Sequence, residues 1–146
     1  MKGWIIDAQL GDDGVSMDVW IYLKEVGIKQ LVVPWAASIH IHSDKFRLHN
    51  GSGLFGRTAV SPRQIADLLS FMYRNLDAYP EYAGSFALSQ VDGTLKNRFK
   101  GIQGARIFGK TGTLDGVSGL SGYIVIDENK WFSFSILQND FKKSSV

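Results

Sequence analysis

The residue types best suited to chemistry in this chain stand together at Lys110-Thr111-Gly112, with Thr113 next. A lysine ammonium and a neighbouring threonine hydroxyl can hold an anion, and a glycine beside them removes the side chain that keeps another backbone away. On an exposed strand, such a tripeptide lets a peptide add along the edge through main-chain hydrogen bonds while the ammonium and hydroxyl fix a charged end. The same lysine also completes GARIFGKT, Gly104 to Thr111, which fits the phosphate-loop pattern G-x-x-x-x-G-K-[ST]. A phosphate loop needs a buried strand before its first glycine and a helix starting at the lysine, because the loop amides and the helix N-terminus hold the phosphates together. Here KNRFKGIQ precedes Gly104, Ala105 to Phe108 read as strand, and TGTLDGVSGLSG follows Lys110, so the order is reversed and no nucleotide site is expected.

Two further patterns lead nowhere. GSGLFG, Gly51 to Gly56, fits the dinucleotide fingerprint, but it follows only the short FRLH and is separated by RTAV from the next helical pattern, so the βαβ unit is missing. His40 and His42 would share one face of a short strand with Asp44 nearby, yet no third clear ligand accompanies them and no metal site is expected. Cysteine is absent, which excludes disulfides, thiolate metal sites and cysteine nucleophiles. Serine, threonine and lysine must carry any covalent step, and no cofactor is implied.

The elements that position the tripeptide follow from periodicity. The 146 residues are 45% hydrophobic and 12% aromatic, enough for one ordinary domain or a piece of a larger one. The 16 basic and 14 acidic residues are dispersed, so no nucleic-acid partner is expected. No run approaches the roughly 20 apolar residues of a membrane span, and MKGWIIDAQLGDDG lacks the apolar core of a signal peptide, so the chain as it stands is expected to be soluble and not exported. Apolar spacing predicts a helix over 15–26, stopped by Gly27. Lys29 to Gly56 reads as an irregular connection with one or two short strands, broken by Pro34. Ser61-Pro62 opens a second helix over 61–74 with Ile65, Leu68, Leu69 and Met72 on its apolar face. A turn at Tyr79-Pro80 leads into a loop-rich stretch through Gly104, and strands are predicted at about 105–113, 118–127 and 130–138, antiparallel, with a hairpin at Asp127-Glu128-Asn129.

The fold class expected is therefore α+β. In chain order, HNGSGL (His49 to Leu54), VSPRQ (Val60 to Gln64), VDGTLKNRF (Val91 to Phe99) and GKTGTLDGVSGLSGY (Gly109 to Tyr123) resemble the D-alanyl-D-alanine carboxypeptidase and endopeptidase family of penicillin-binding proteins, peptidase family S13. The resemblance covers nearly the whole chain. It implies part of a transpeptidase/β-lactamase-like domain and a serine-type peptidase acting on peptidoglycan stem peptides that end in D-Ala-D-Ala, with β-lactams as ligands of the full-length proteins and the periplasm as location. Lys110 is then the catalytic-site cation, and Thr111, Gly112 and Thr113 bind substrate, the Thr113 N–H serving as one of two oxyanion-hole donors. The first three blocks read as turns and a helix cap without chemistry.

The sequence departs from the family in one respect. No serine is followed three places on by lysine or two places on by asparagine, so neither the nucleophile motif Ser-x-x-Lys nor Ser-x-Asn is present. The chain is accordingly expected to be a C-terminal segment, 1–146, of one penicillin-binding domain, incomplete at both ends and inactive alone. Trp131 and Phe132 would then lack an assured covering layer. The alternatives are a non-catalytic peptide-binding or assembly module, or a decayed remnant.

Overall fold

The capping signals written into the sequence are where the fold begins, and two helix ends show how. The structure, a computed structural model, describes residues 28–41, 46–48, 58–127 and 130–140. Its backbone groups into two units, 1–59 and 60–146. In the first, helix α1 runs Ile28–Ser38 with Pro34 inside it. This corrects the irregular connection expected there. Its C-terminus explains how the helix ends cleanly: Ile41 N–H reaches the Ala36 carbonyl at 2.9 Å and His40 N–H the Ala37 carbonyl at 3.0 Å, with His40 at φ 64°. That is a Schellman cap, and buried Ala36 and Ile41 are the apolar pair that accompanies it. His40 is thus a helix-terminating residue in the left-handed region, not a strand residue facing His42. Arg47 and Ala59 form an isolated antiparallel bridge. The helix expected over 15–26, together with His42, Asp44 and Gly51 to Gly56, lies outside the described residues.

In the second unit, helix α2 spans Pro62–Arg74. Ser61 caps it reciprocally with Gln64: Gln64 N–H donates to Ser61 Oγ at 3.2 Å and Ser61 N–H to Gln64 Oε1 at 2.8 Å. Tyr79-Pro80, expected as a turn, instead starts the short helix α3, Tyr79–Gly84, where proline's missing N–H is no loss in the first turn. The stretch expected to be loop also contains strand β1, Ala87–Leu88, and a 3-10 turn, Gly93–Leu95. Strands β2 (Ala105–Leu114), β3 (Val117–Ile126) and β4 (Lys130–Asn139) follow, within one residue of the predicted limits. All four strands form one antiparallel sheet in the order β1-β2-β3-β4. A two-residue Asp115-Gly116 turn joins β2 to β3, with Gly116 at φ 67° as such tight hairpins require.

Register sorts the sheet into two faces. Phe108, Tyr123 and Ser133 lie in one row, Arg106, Val125 and Trp131 in a second, and Lys110, Ser121 and Ser135 in a third, all on the same face. Helix α2 covers that face: Tyr123 donates its hydroxyl to the Leu69 carbonyl at 2.7 Å, and Ser70 and Ser133 share a hydroxyl hydrogen bond of 2.9 Å. Trp131, for which the sequence promised no cover, packs its ring 5.5 Å from Tyr73 and 5.9 Å from Tyr79. Leu69, Tyr123 and Leu95 are the most deeply buried side chains, each worth on the order of 2 kcal/mol of apolar burial. The opposite face is closed by Leu95 near Gly109 and Leu120, while Phe132 remains 52% exposed.

A candidate substrate-binding edge on β2

Strand β2 has two different neighbours along its length. Strand β3 accompanies it from Ala105 to Leu114, whereas β1 pairs only with Phe108 and Gly109. Beyond Gly109, the β1 side of the strand has no strand partner among the described residues. The direction of its main-chain groups follows from Ile107, whose N–H donates to Ser89 Oγ at 3.2 Å and whose carbonyl accepts from Ser89 N–H at 2.8 Å. Main-chain groups in a strand alternate from side to side, so those of Gly109, Thr111 and Thr113 also point to the β1 side. Two residues of the sequence-predicted site, Thr111 and Thr113, therefore offer N–H and C=O groups along an open edge.

The four predicted side chains divide between faces. Lys110 and Gly112 share the face of Ser121 and Gly119, and Thr111 and Thr113 the face of Leu120 and Ser118. Lys110 is exposed and folds back over the edge, donating from Nζ to the Thr111 carbonyl at 2.7 Å. Gly112 is exposed, and a Cβ built on it would meet nothing within 4 Å. Gly122 is the contrast: a Cβ there would collide with the Phe108 carbonyl oxygen. Packing inside the chain thus demands glycine at 122 and leaves it unexplained at 112, where open space lies beside the free edge.

Thr94 is a member of this site that sequence reading missed. Its Oγ1 accepts a hydrogen bond of 2.9 Å from Thr111 Oγ1, bringing the turn block VDGTLKNRF onto the strand it precedes. The local signal was present in Asp92-Gly93, but the contact joins residues 17 apart and needs the folded turn to be seen. Among the described residues no serine is drawn to this edge as a nucleophile. Ser121 stands opposite Lys110 in the register, yet its hydroxyl pairs with Ser135 at 2.8 Å. Among the described residues no group of acidic or histidine side chains could hold a metal ion. The phosphate-loop pattern ends as the order of elements predicts, since Lys110 lies within β2 and no helix begins there.

Three phenols near the sheet carry the clear electrostatic shifts. Burial pushes Tyr123 well above the ordinary phenol value, with Tyr82 and Tyr79 adding to it, and burial likewise raises Tyr79 and Tyr82. These groups are neutral across the physiological range and serve the helix-covered core rather than the edge.

Helices packed with a four-stranded antiparallel sheet make an α+β fold of the transpeptidase-like kind. Two crystal structures of penicillin binding protein 4 from Haemophilus influenzae share the fold with a TM-score of 0.66. One, complexed with a β-lactam, is 23% identical over 79% of this chain, and the other is 22% identical over 86%. The chain spans 27% of the length of those proteins. A search of curated proteins gave no match. The model of the D-Ala-D-Ala carboxypeptidase 3 (S13) family matches residues 27–146, and the chain belongs to that family. No helix among the described residues is long and apolar enough to cross a membrane.

Proposed function

We propose that this chain supplies the substrate-holding strand of a serine-type D-Ala-D-Ala carboxypeptidase acting on peptidoglycan stem peptides, in the periplasm. One observation carries the reading: from Lys110 to Leu114, β2 has no second strand partner among the described residues, the main-chain groups of Thr111 and Thr113 are directed to that edge, and a Cβ at Gly112 would meet nothing within 4 Å. A stem peptide laid along this edge pairs with Thr111 and Thr113 as an added strand. Its terminal carboxylate meets the Lys110 ammonium and the Thr111 hydroxyl, a charge-assisted contact that orients the preceding carbonyl. The Thr113 N–H then donates to the oxygen on which negative charge develops during attack. Before this can happen, the Lys110 ammonium must leave the Thr111 carbonyl it occupies in the unliganded chain.

Attack itself needs an activated serine, and Ser-x-x-Lys and Ser-x-Asn do not occur in the sequence. In this reading the chain is the C-terminal segment of one penicillin-binding domain, in keeping with its 27% coverage of the related fold. β-Lactams, which carry a carboxylate beside a strained amide, are ligands of the complete domain. The chain alone is expected to bind and not to turn over.

The test is a titration of the chain with an Nα-acyl-D-Ala-D-Ala peptide and with its C-terminal amide. Binding of the carboxylate form that weakens at least about tenfold in Lys110→Ala, with no hydrolysis and no covalent labelling by a β-lactam, is the expected result. Hydrolysis or stable acylation would show that the chain carries its own nucleophile. Equal binding of acid and amide would remove the carboxylate-holding role from Lys110 and Thr111.

A further inference from the structure

We propose that Thr94 is a positioning residue for the Thr111 hydroxyl, keeping it poised on the open edge to receive a ligand carboxylate. The inference rests on the edge reading given above and adds a residue to it. Thr94 is exposed, but both its neighbours are held firmly. On one side Gly93 sits at φ 50°, and a Cβ there would lie 2.9 Å from the Ala87 Cβ, so glycine is required twice over. Ahead of it the Asp92 carboxylate accepts the Leu88 N–H at 2.7 Å, tying the turn to β1. On the other side Leu95 is fully buried near Gly109 and Leu120, and its carbonyl accepts Gln90 N–H at 3.2 Å. The turn therefore delivers Thr94 to one place, against Thr111.

An exposed hydroxyl pair contributes little to folding, because water competes for both partners. Its value is in direction. Without ligand, Thr111 donates to Thr94, so its proton has an acceptor and its rotamer a reason to stay. When a carboxylate approaches along the edge, Thr111 turns its proton to the anion and Thr94 turns its own proton to Thr111 Oγ1. The Thr111 hydroxyl keeps an acceptor throughout, and a chain of two such bonds ending on an anion is stronger than either alone. Valine at 94 has the same shape and cannot take part.

The experiment uses the whole chain, Thr94→Val and Thr94→Ser. In the unliganded protein, three-bond couplings of the Thr111 side chain are expected to report one χ1 rotamer in the parent and the serine variant, and averaging in the valine variant. On titration with Nα-acyl-D-Ala-D-Ala, the valine variant is expected to lose about three- to tenfold in affinity while binding of the C-terminal amide is unchanged; serine at 94 restores parent affinity to within about twofold. A single Thr111 rotamer in Thr94→Val, undiminished carboxylate affinity, or equal loss for acid and amide would each overturn the role of Thr94. A parent chain that does not prefer the acid over the amide would instead overturn the edge reading, and the rotamer measurement would still decide whether Thr94 holds the hydroxyl.

Discussion

The two halves of β2 are one continuous strand in the ladder with β3, and they are built to opposite ends. Toward Ile107 to Gly109 the strand is enclosed: Ile107 and Gly109 are buried, β1 and Ser89 close the second edge there, and a Cβ on Gly109 would press within 3.1 Å of Leu120. From Lys110 to Leu114 four of five residues are exposed, the second edge has no strand partner among the described residues, and a Cβ on Gly112 would meet nothing within 4 Å. The first half anchors the strand by the same packing that holds any core. The second half, anchored by the first, presents polar groups at fixed spacing, which is what the proposed binding edge requires of a rigid element. Substitutions in and around the two halves should therefore separate stability from binding.

The largest effect is expected behind the enclosed half. Gly122→Ala places a methyl group against the Phe108 carbonyl, and a loss of about 3 kcal/mol or more in denaturant unfolding is expected, enough to leave much of the chain unfolded. Leu95→Ala empties the fully buried site near Gly109 and should cost about 2–4 kcal/mol. Because Leu95 also anchors Thr94, this variant should weaken carboxylate binding as well.

A smaller effect belongs to alkaline pH. Burial raises the Tyr123, Tyr79 and Tyr82 phenols above the ordinary phenol value of about 10. The folded chain thus holds these protons more tightly than the unfolded chain does. Their contribution to stability is fully present below about pH 10 and is lost as pH rises beyond it. Thermal unfolding should be flat with pH on the neutral side and fall above about pH 10, less steeply in Tyr123→Phe; a melting temperature that climbs in that range would contradict it. The least effect on stability is expected at Gly112→Ala, within about 0.5 kcal/mol of the parent, yet peptide binding should fall markedly. A large loss of stability there would make Gly112 a packing glycine like Gly122.

Where local chemistry decides structure, the sequence was readable. Ser61-Pro62 specified the start of α2, and the β-branched and aromatic runs specified three strands in sequence. Pro34 misled because an interior proline costs about 3 kcal/mol in a helix, a local penalty that α1 absorbs. His40 misled because a Schellman cap normally advertises itself with glycine, and here a histidine takes the left-handed position. Strand β1 has two residues and exists only through its pairing with Phe108 and Gly109. Lys110, Thr111, Gly112 and Thr113 could be proposed from the sequence as a candidate site because they are consecutive. Thr94 was not, since its partner lies across a folded turn.

The most direct measurement is amide hydrogen exchange at Thr111 and Thr113 with and without saturating Nα-acyl-D-Ala-D-Ala. Both N–H groups face the open edge, so both should exchange readily in the free chain and become protected in the complex, while exchange at Ile107, already bonded to Ser89, stays as it was. Binding that leaves Thr111 and Thr113 exchanging as before would contradict an added strand on this edge.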